Sequence, residues 1–328
     1  MSKKVTIAIP VYKRLDYLVD ALYSVAAQDY QNIEVIVSDN GENGTKVKEL
    51  ADTHYLRPYR FRQNPQTVPL PYHYNQLIES ATGDYFAFLD YDDMLSPNYV
   101  STLVNILDSH PEVAVALSKV EVVDSSGKFL RASSEQIPEF MTGPDFIRSW
   151  TDYEFESYST VLGRTSYIKE DGGHPIIPGG THTDDAILIK LCLRGSVAIS
   201  PRCSFRWRYN PMSFGWSLKC RSLAEDTRVY LKFLDEDPAV LRYAKMEPSK
   251  WQEIKPELSR LGWQTYLERW AGMYREQAPF YQWVKSGFAM PYIPEYYRRV
   301  RSALYHGARE RVVIAVKRVL FQARVYEK

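Results

Sequence analysis

The chain has only three cysteines in 328 residues, Cys192, Cys203 and Cys220, with neither a CxxC spacing nor a Cys/His metal pattern. No disulfide framework and no zinc site is indicated, and a reducing cytoplasm is the expected surrounding. Long apolar runs are missing as well. Nowhere do about 18 apolar residues follow one another, so no membrane-spanning helix is expected. The opening "MSKKVTIAIPVYKR" reaches charged residues after too short an apolar run for a signal peptide. An excess of one charge is also lacking: 41 Lys and Arg stand against 40 Asp and Glu, a net charge of +1, which gives no basic field for nucleic acid. Neither an internal repeat nor a low-complexity segment interrupts the chain. What remains is the composition of an ordinary globular protein, 45% hydrophobic and 25% charged. Its length allows one large domain with an appendage, or two domains.

The N-terminal third has a clear period. "VTIAIPV" is a short β-prone apolar run, and in "RLDYLVDALYSVAAQ" the residues Leu15, Leu18, Val19, Leu22, Val25 and Ala26 recur at helical spacing. "NIEVIVSDN" predicts a second buried strand, ended by a turn with Gly41 and Gly44. After "YRFRQNP", the stretch "NQLIESATGD" predicts a short helix closed by Gly83, followed by the strand "YFAFL". Strand, helix and strand at this spacing form parallel βαβ units. Ligands of such an open sheet lie beyond the carboxyl ends of its strands. Tyr12, Asp39 and the run Asp90 to Asp93 all fall just past such ends. Farther on, "STLVNILDSH" reads as helix, "VAVALSKVEVVD" as strand and "DDAILIKLCLRG" as a helix with an acidic start; helical patterns dominate beyond Leu223, interrupted by prolines.

"YFAFLDYDDML" sets Asp90, Asp92 and Asp93 directly after a buried strand. Carboxylates so close repel one another, and each is costly to desolvate unless a cation or hydrogen bonds compensate it. The D-x-D pair Asp90 and Asp92 offers hard oxygen ligands to Mg²⁺ or Mn²⁺, ions that keep coordination positions open for phosphate oxygens. Asp92 or Asp93 could instead cap the helix that follows, as could Ser96. In "GGTHTDDAILIKL", Asp184 and Asp185 open a helix, where the dipole favours the ionised form that a general base requires; helix capping is the alternative.

The motifs "VTIAIPVYKR", "IEVIVSDN", "ATGDYFAFLDYDDML" and "TDDAILIKLCLRG", in this order, resemble those of family 2 glycosyltransferases, inverting enzymes of GT-A fold, over roughly residues 3 to 215. The resemblance implies that Pro10 and Tyr12 line a base pocket, with the Tyr12 ring stacking on the nucleobase and Asp39 accepting a base N–H. It also implies that Asp90 meets the ribose or a metal-bound water, that Asp92 ligates the Mn²⁺ or Mg²⁺ bridging the diphosphate, and that Asp185 is the base, with Asp184 orienting or capping. In "RCSFRWRYNPMSFGWS", Arg208 and Ser213 match diphosphate contacts, while Asn210 stands where histidine is usual. His182 could compensate, or be a turn residue; His174, after Gly172 and Gly173, lies in a loop that could form the acceptor rim. "PVYK" departs from the usual asparagine after the tyrosine, and "NPQTVPLPYHYN" lacks a glycine that the family often has.

The expectation is therefore an α/β GT-A domain over residues 1–222, with a nucleotide-binding half (1–100) and an acceptor half (101–222), followed by a helical region over 223–328. Nine basic residues outnumber three acidic ones from Glu295 onward, so the tail carries +6 and the rest −5. In "RERVVIAVKRVLFQARV", Val312, Val316, Val319, Leu320 and Ala323 share one helical face. Such a helix can lie at an anionic membrane surface, or pack on the body or a second subunit. The expected donor is a nucleotide-diphosphate sugar, UDP or dTDP before GDP, and the expected acceptor a glycan or lipid-linked glycan on the cytoplasmic side. Two rivals stand beside this reading: a catalytically silent nucleotide-sugar-binding subunit, and a D-x-D phosphotransferase whose first Asp is a nucleophile.

Overall fold

The computed structural model of the chain describes residues 2–133, 138–149, 161–209 and 220–275. Its first part alternates strand and helix: β1 (Val5–Val11), α1 (Leu18–Ala26), β2 (Ile33–Asp39), α2 (Lys46–His54), β3 (Arg60–Gln63), α3 (Leu70–Ser80) and β4 (Tyr85–Phe88). These four strands pair in parallel in the order β3-β2-β1-β4, because each crossover helix carries the chain back to the end of the sheet where the preceding strand began. Every residue of β1 is buried, as in a strand covered on both faces. Successive side chains point to opposite sides. Ile7 and Ile9 pack with Leu22, Val47 and Leu103; Ala8 packs with Leu77, Phe86 and Leu188.

The second part continues with β5 (Met94–Leu95), α4 (Tyr99–Ser109), β6 (Val113–Val123), β7 (Phe129–Ala132), β8 (Phe140–Met141), α5 (Gly143–Ser149), β9 (Leu162–Arg164), α6 (Thr165–Glu170), α7 (Thr183–Cys192) and β10 (Ser196–Arg208). β9 is inserted antiparallel between β4 and β6, and β10 runs parallel to β6. A register shift between Ser200 and Ser204 lets the far end of β10 continue along β6 while it also pairs antiparallel with β5. The open α/β sheet with flanking helices expected from the sequence is thus present, extended by antiparallel strands at its second half.

The helix expected at "NQLIESATGD" differs in its bounds and in the role of its glycine. Helix α3 starts at Leu70 and ends at Ser80, with Ala81 as its C-cap, so Gly83 does not close it. Gly83 instead lies against β1: a β-carbon there would meet Thr6 N at 2.6 Å and Lys4 O at 2.8 Å, and its N–H donates to Thr6 Oγ1 at 2.9 Å.

Among the described residues three helices follow: α8 (Cys220–Glu236), α9 (Pro238–Met246) and α10 (Pro248–Arg275). Pro238 and Pro248 each open a helix, where a missing N–H costs nothing, while Pro256 lies inside α10. Tyr230, Phe233, Val240 and Ile254 share a core with Phe86 and Leu188, so these helices complete the core of the α/β body. Among the described residues no helix is long and apolar enough to cross a membrane. The basic tail lies outside the described residues.

One buried cation ties α7 to the helices. Lys190, 3% exposed, pairs with Asp237 at 2.9 Å and donates to the carbonyls of Asp171 and Gly173. Asp237 in turn caps α9 by accepting from Ala239 N and Val240 N. Removing one partner of a buried pair strands the other. Lys190→Met is expected to lower unfolding stability by about 3–5 kcal/mol, measured by urea unfolding; a change below about 1 kcal/mol, the value typical of surface pairs, would contradict this role.

Candidate active site

The sheet opens at Pro10. On one side β1 pairs with β2 through Pro10 and Val11, while on the other its pairing with β4 stops at Ala8 and Phe88. Leu89 N makes a further bond to Ala8 O at 2.9 Å. Residue 10 repeats the orientation of residue 8, so the N–H that proline lacks falls where β4 has run out. Tyr12 follows, half-buried, with the Lys13 ammonium 4.8 Å from its ring centroid. Lys13 has φ 61°, a left-handed conformation that a β-carbon disfavours and that the asparagine usual at this place tolerates better.

Asp39 ends β2 and is fully buried. Its carboxylate accepts from Asn43 N at 3.2 Å, Asn43 Nδ2 at 2.9 Å and Gln63 Nε2 at 3.1 Å. The turn through Gly41 packs tightly on the chain after β3: Gly41 has φ 89°, and a β-carbon on it would meet Gln66 C at 2.8 Å and Asn64 O at 2.9 Å. Asp39 thus makes an Asx-type contact with the turn that follows it.

The three carboxylates after β4 take different places. Asp90 and Asp92 are partly exposed; Asp90 Oδ1 accepts from the Tyr74 hydroxyl at 2.9 Å. Asp93 is buried and accepts from Arg208 N at 2.9 Å. Burial, together with repulsion from Asp92 and Asp90, pushes its carboxyl well above the usual range. Asp93 is thus neither a helix cap nor a ligand; Asn98 is the N-cap of α4 and makes no side-chain cap bond. Asp90 and Asp92 remain as two hard oxygen donors in a field negative enough to perturb their neighbour, a donor set that suits a divalent cation completed by phosphate and water. Among the described residues no three His, Cys, Asp or Glu side chains form a closed metal cage.

Arg208 corrects an expectation. Its guanidinium is 1% exposed and donates to Asp92 O, Ser125 O and Asp20 Oδ2 at 2.9, 2.9 and 2.7 Å, over the ring of Tyr17. With its donors committed to protein groups, it braces the D-x-D turn and does not reach out to a diphosphate. Asn210 and Ser213 lie outside the described residues.

Helix α7 starts at Thr183 with His182 as N-cap, at φ 66° and without a side-chain cap bond. Asp184 and Asp185 therefore sit in the first turn and do not cap. His182 Nδ1 lies 2.9 Å from Asp185 Oδ2, and its ring stacks on Tyr230 at 4.6 Å. His182 is thus no free loop residue. Asp184 lines a small, mostly apolar cavity with His174, Phe88 and Ile187. The two acidic clusters meet at Tyr74: this buried phenol is pushed well up by burial and by the charges of Asp90, Asp184 and Asp92. Tyr74 stacks on Phe88 at 4.5 Å and meets His174 edge-on at 5.4 Å. Nothing in the sequence singled it out; its only trace was a pair of polar-tipped rings, His73 and Tyr74, on the inner face of α3.

Residues 6–170 match the family model described as glycosyl transferase family 2, just over half of the chain. The chain belongs to glycosyl transferase family 2. This family 2 chain is 26% identical over 184 residues to the glycosyltransferase GlyG of Streptococcus pneumoniae, a match covering 52% of this chain and 58% of GlyG. It is 34% identical over 129 residues to an uncharacterized glycosyltransferase of Rickettsia bellii, covering 38% of this chain and 18% of that protein. It thus spans less than two thirds of either relative. Residues 1–349 of S. aureus TarS, solved in complex with UDP-GlcNAc, superpose with a TM-score of 0.65 at 15% identity, covering 96% of this chain and 90% of that one. A likeness at that identity bears on the fold, which is the GT-A arrangement expected from the sequence.

Two histidines of the site are held neutral. His73, bonded to Ser38 Oγ at 2.8 Å, and His174, bonded to Thr183 O at 3.1 Å, are both pushed down to about 4 by burial. An unfolded chain takes up these protons near pH 6.5, so in the window between about 6.5 and 4 it binds more protons than the native state. Stability is full above that window and falls as pH drops through it, by up to about 1.4 kcal/mol per pH unit for each histidine. Urea unfolding at a series of pH values checks this; His174→Gln should flatten the slope, and an unchanged slope would speak against a buried neutral His174.

Proposed function

We propose that this chain transfers a sugar from a nucleoside diphosphate sugar to a hydroxyl acceptor, with inversion, in the synthesis of a surface or exported glycan. The observation that carries this reading is the meeting of two acidic clusters at one buried phenol. Asp90 accepts from the Tyr74 hydroxyl at 2.9 Å, Tyr74 stacks on Phe88, and Phe88 lines one small cavity with Asp184 at the start of α7, with Asp185 next along the helix. One cluster suits a diphosphate and its counter-ion; the other suits a base. The similarity to the glycosyltransferase GlyG and to TarS, solved in complex with UDP-GlcNAc and with UDP, supports a nucleotide-sugar donor. UDP or dTDP is the preferred base, because Asp39 only accepts and uracil and thymine each present a ring N–H.

In this reading Tyr12 offers its ring to the base, and Asp39, preoriented by Asn43 and Gln63, accepts the base N–H. Asp90, fixed by Tyr74, and Asp92 would hold Mn²⁺ or Mg²⁺, which when bound supplies Lewis-acid stabilisation of the leaving diphosphate. Asp185, 18% exposed, takes the proton from the acceptor hydroxyl. His182 behind it fixes the carboxylate's orientation. A single displacement from the face opposite the diphosphate inverts the anomeric centre, and no enzyme nucleophile is required.

The test separates binding from chemistry. UDP-GlcNAc and a dTDP- and a GDP-sugar are offered with Mn²⁺, and nucleotide release and nucleotide affinity are both measured. Asp185→Asn is expected to lose about 10²–10⁴-fold in kcat, the range for a general base, with nucleotide affinity kept; Asp92→Asn is expected to lose both. Turnover by Asp185→Asn at the wild-type rate, or no consumption of any donor by the wild type, would refute the reading.

A further inference from the structure

We propose that helix α8, outside the segment matched to the family, holds the base in place: Asp226 grips the loop before α7 and Tyr230 backs the histidine that orients Asp185. This rests on the reading of Asp185 as the base. Asp226 is 0% exposed. Its two carboxylate oxygens accept from Gly179 N at 2.7 Å and Thr181 N at 3.1 Å, so one side chain fixes two peptide groups of the loop that delivers residues 182–185. The fit is close: a β-carbon on Gly179 would collide with the Asp226 carboxylate, and Gly180 between the two contacts has φ 82°. One turn along the helix, on the same face, Tyr230 stacks on His182 with an interplanar angle of 28°. Its hydroxyl donates to Leu258 O of α10 at 3.1 Å, which anchors the ring from behind.

The loop depends on this outside support. Four of its buried polar atoms, His174 Nε2, Thr181 Oγ1, His182 Nε2 and Thr183 Oγ1, have no hydrogen-bond partner among the described residues. His182 itself sits in the left-handed conformation, which costs most residues energy. Exposure decides which member of the His182–Asp185 pair meets an acceptor. The His182 side chain is 0% exposed and that of Asp185 18%, so Asp185 faces the crevice. His182, with its Nδ1 proton on the carboxylate, is the positioning residue. Asp226 and Tyr230 position His182 in turn.

The experiment uses the full chain, with UDP-GlcNAc as donor, and compares Asp226→Asn, Tyr230→Leu and Tyr230→Phe. Asp226→Asn keeps the size of the side chain but turns an N–H toward one of the two loop N–H groups. It is expected to speed amide exchange across residues 179–185 about tenfold or more, and to lower kcat roughly 10- to 100-fold, the cost of a small misplacement of a reacting group. UDP affinity should stay within about twofold, since the loss falls on chemistry and not on donor binding. Tyr230→Leu should behave likewise, and Tyr230→Phe, which keeps the ring, should recover kcat. Should Asp226→Asn fail to fold, the Leu and Phe pair at 230 decides alone. Wild-type kcat in Asp226→Asn or Tyr230→Leu overturns the proposal, as does a kcat loss matched by an equal loss of UDP affinity. Failure of the underlying reading shows separately, as turnover by Asp185→Asn or an inert wild type, and removes this proposal with it.

Discussion

The mutual repulsion of three carboxylates at the end of β4 is the constraint around which this structure is built. The fold answers it by giving the three different surroundings, with the buried Arg208 guanidinium bracing the turn. Asp93 is turned inward, where the Arg208 backbone N–H receives it. Asp90 is bonded by Tyr74. Arg208 donates to the backbone carbonyl of Asp92, not to its carboxylate. Asp90 and Asp92 stay partly exposed beside the buried Asp93.

Much of the architecture follows from this one requirement. β10 has to reach the turn after β4, and its register shift beyond Ser200 and its pairing with β5 bring Arg208 there. Helix α3 has to supply a phenol, and Tyr74 stands on its buried face beside His73, stacked on Phe88 of β4. Helix α7 has to bring its acidic first turn to the same phenol, and the loop before it is gripped by α8. The end of β4 and the loop before α7 are linked through packed aromatic rings, Phe88, Tyr74 and His174.

The parts of this plan that depend on local period were legible in the sequence. β1, β2 and β4 announced themselves by apolar runs, and Asp39, Asp90 and Asp92 by their position just past them; the acidic start of α7 was visible from spacing alone. What stayed hidden was long in sequence separation. Arg208 looked like a phosphate ligand because an arginine in a basic aromatic stretch offers no sign of its distant partners: Asp20 lies 188 residues away and Asp92 lies 116 away. Asp226 carried no signal in the sequence, and its hold on Gly179 and Thr181 spans more than forty residues. Gly83 was read as a helix stop because glycine after a helix usually is one; that it instead makes room for β1 depends on a strand eighty residues earlier. Local rules cannot see such contacts, because no residue type encodes its tertiary neighbour.

The central claim is that a diphosphate held at the end of β4 and a base at the start of α7 act on opposite faces of one anomeric carbon. The stereochemistry of donor cleavage tests it most directly. When an α-linked UDP-sugar is hydrolysed by the protein and followed by proton NMR from the first minutes, the account predicts that the β-anomer of the free sugar appears first and then mutarotates. Initial release of the α-anomer would mean a double displacement or attack from the diphosphate's own face, and would contradict the geometry argued for Asp185.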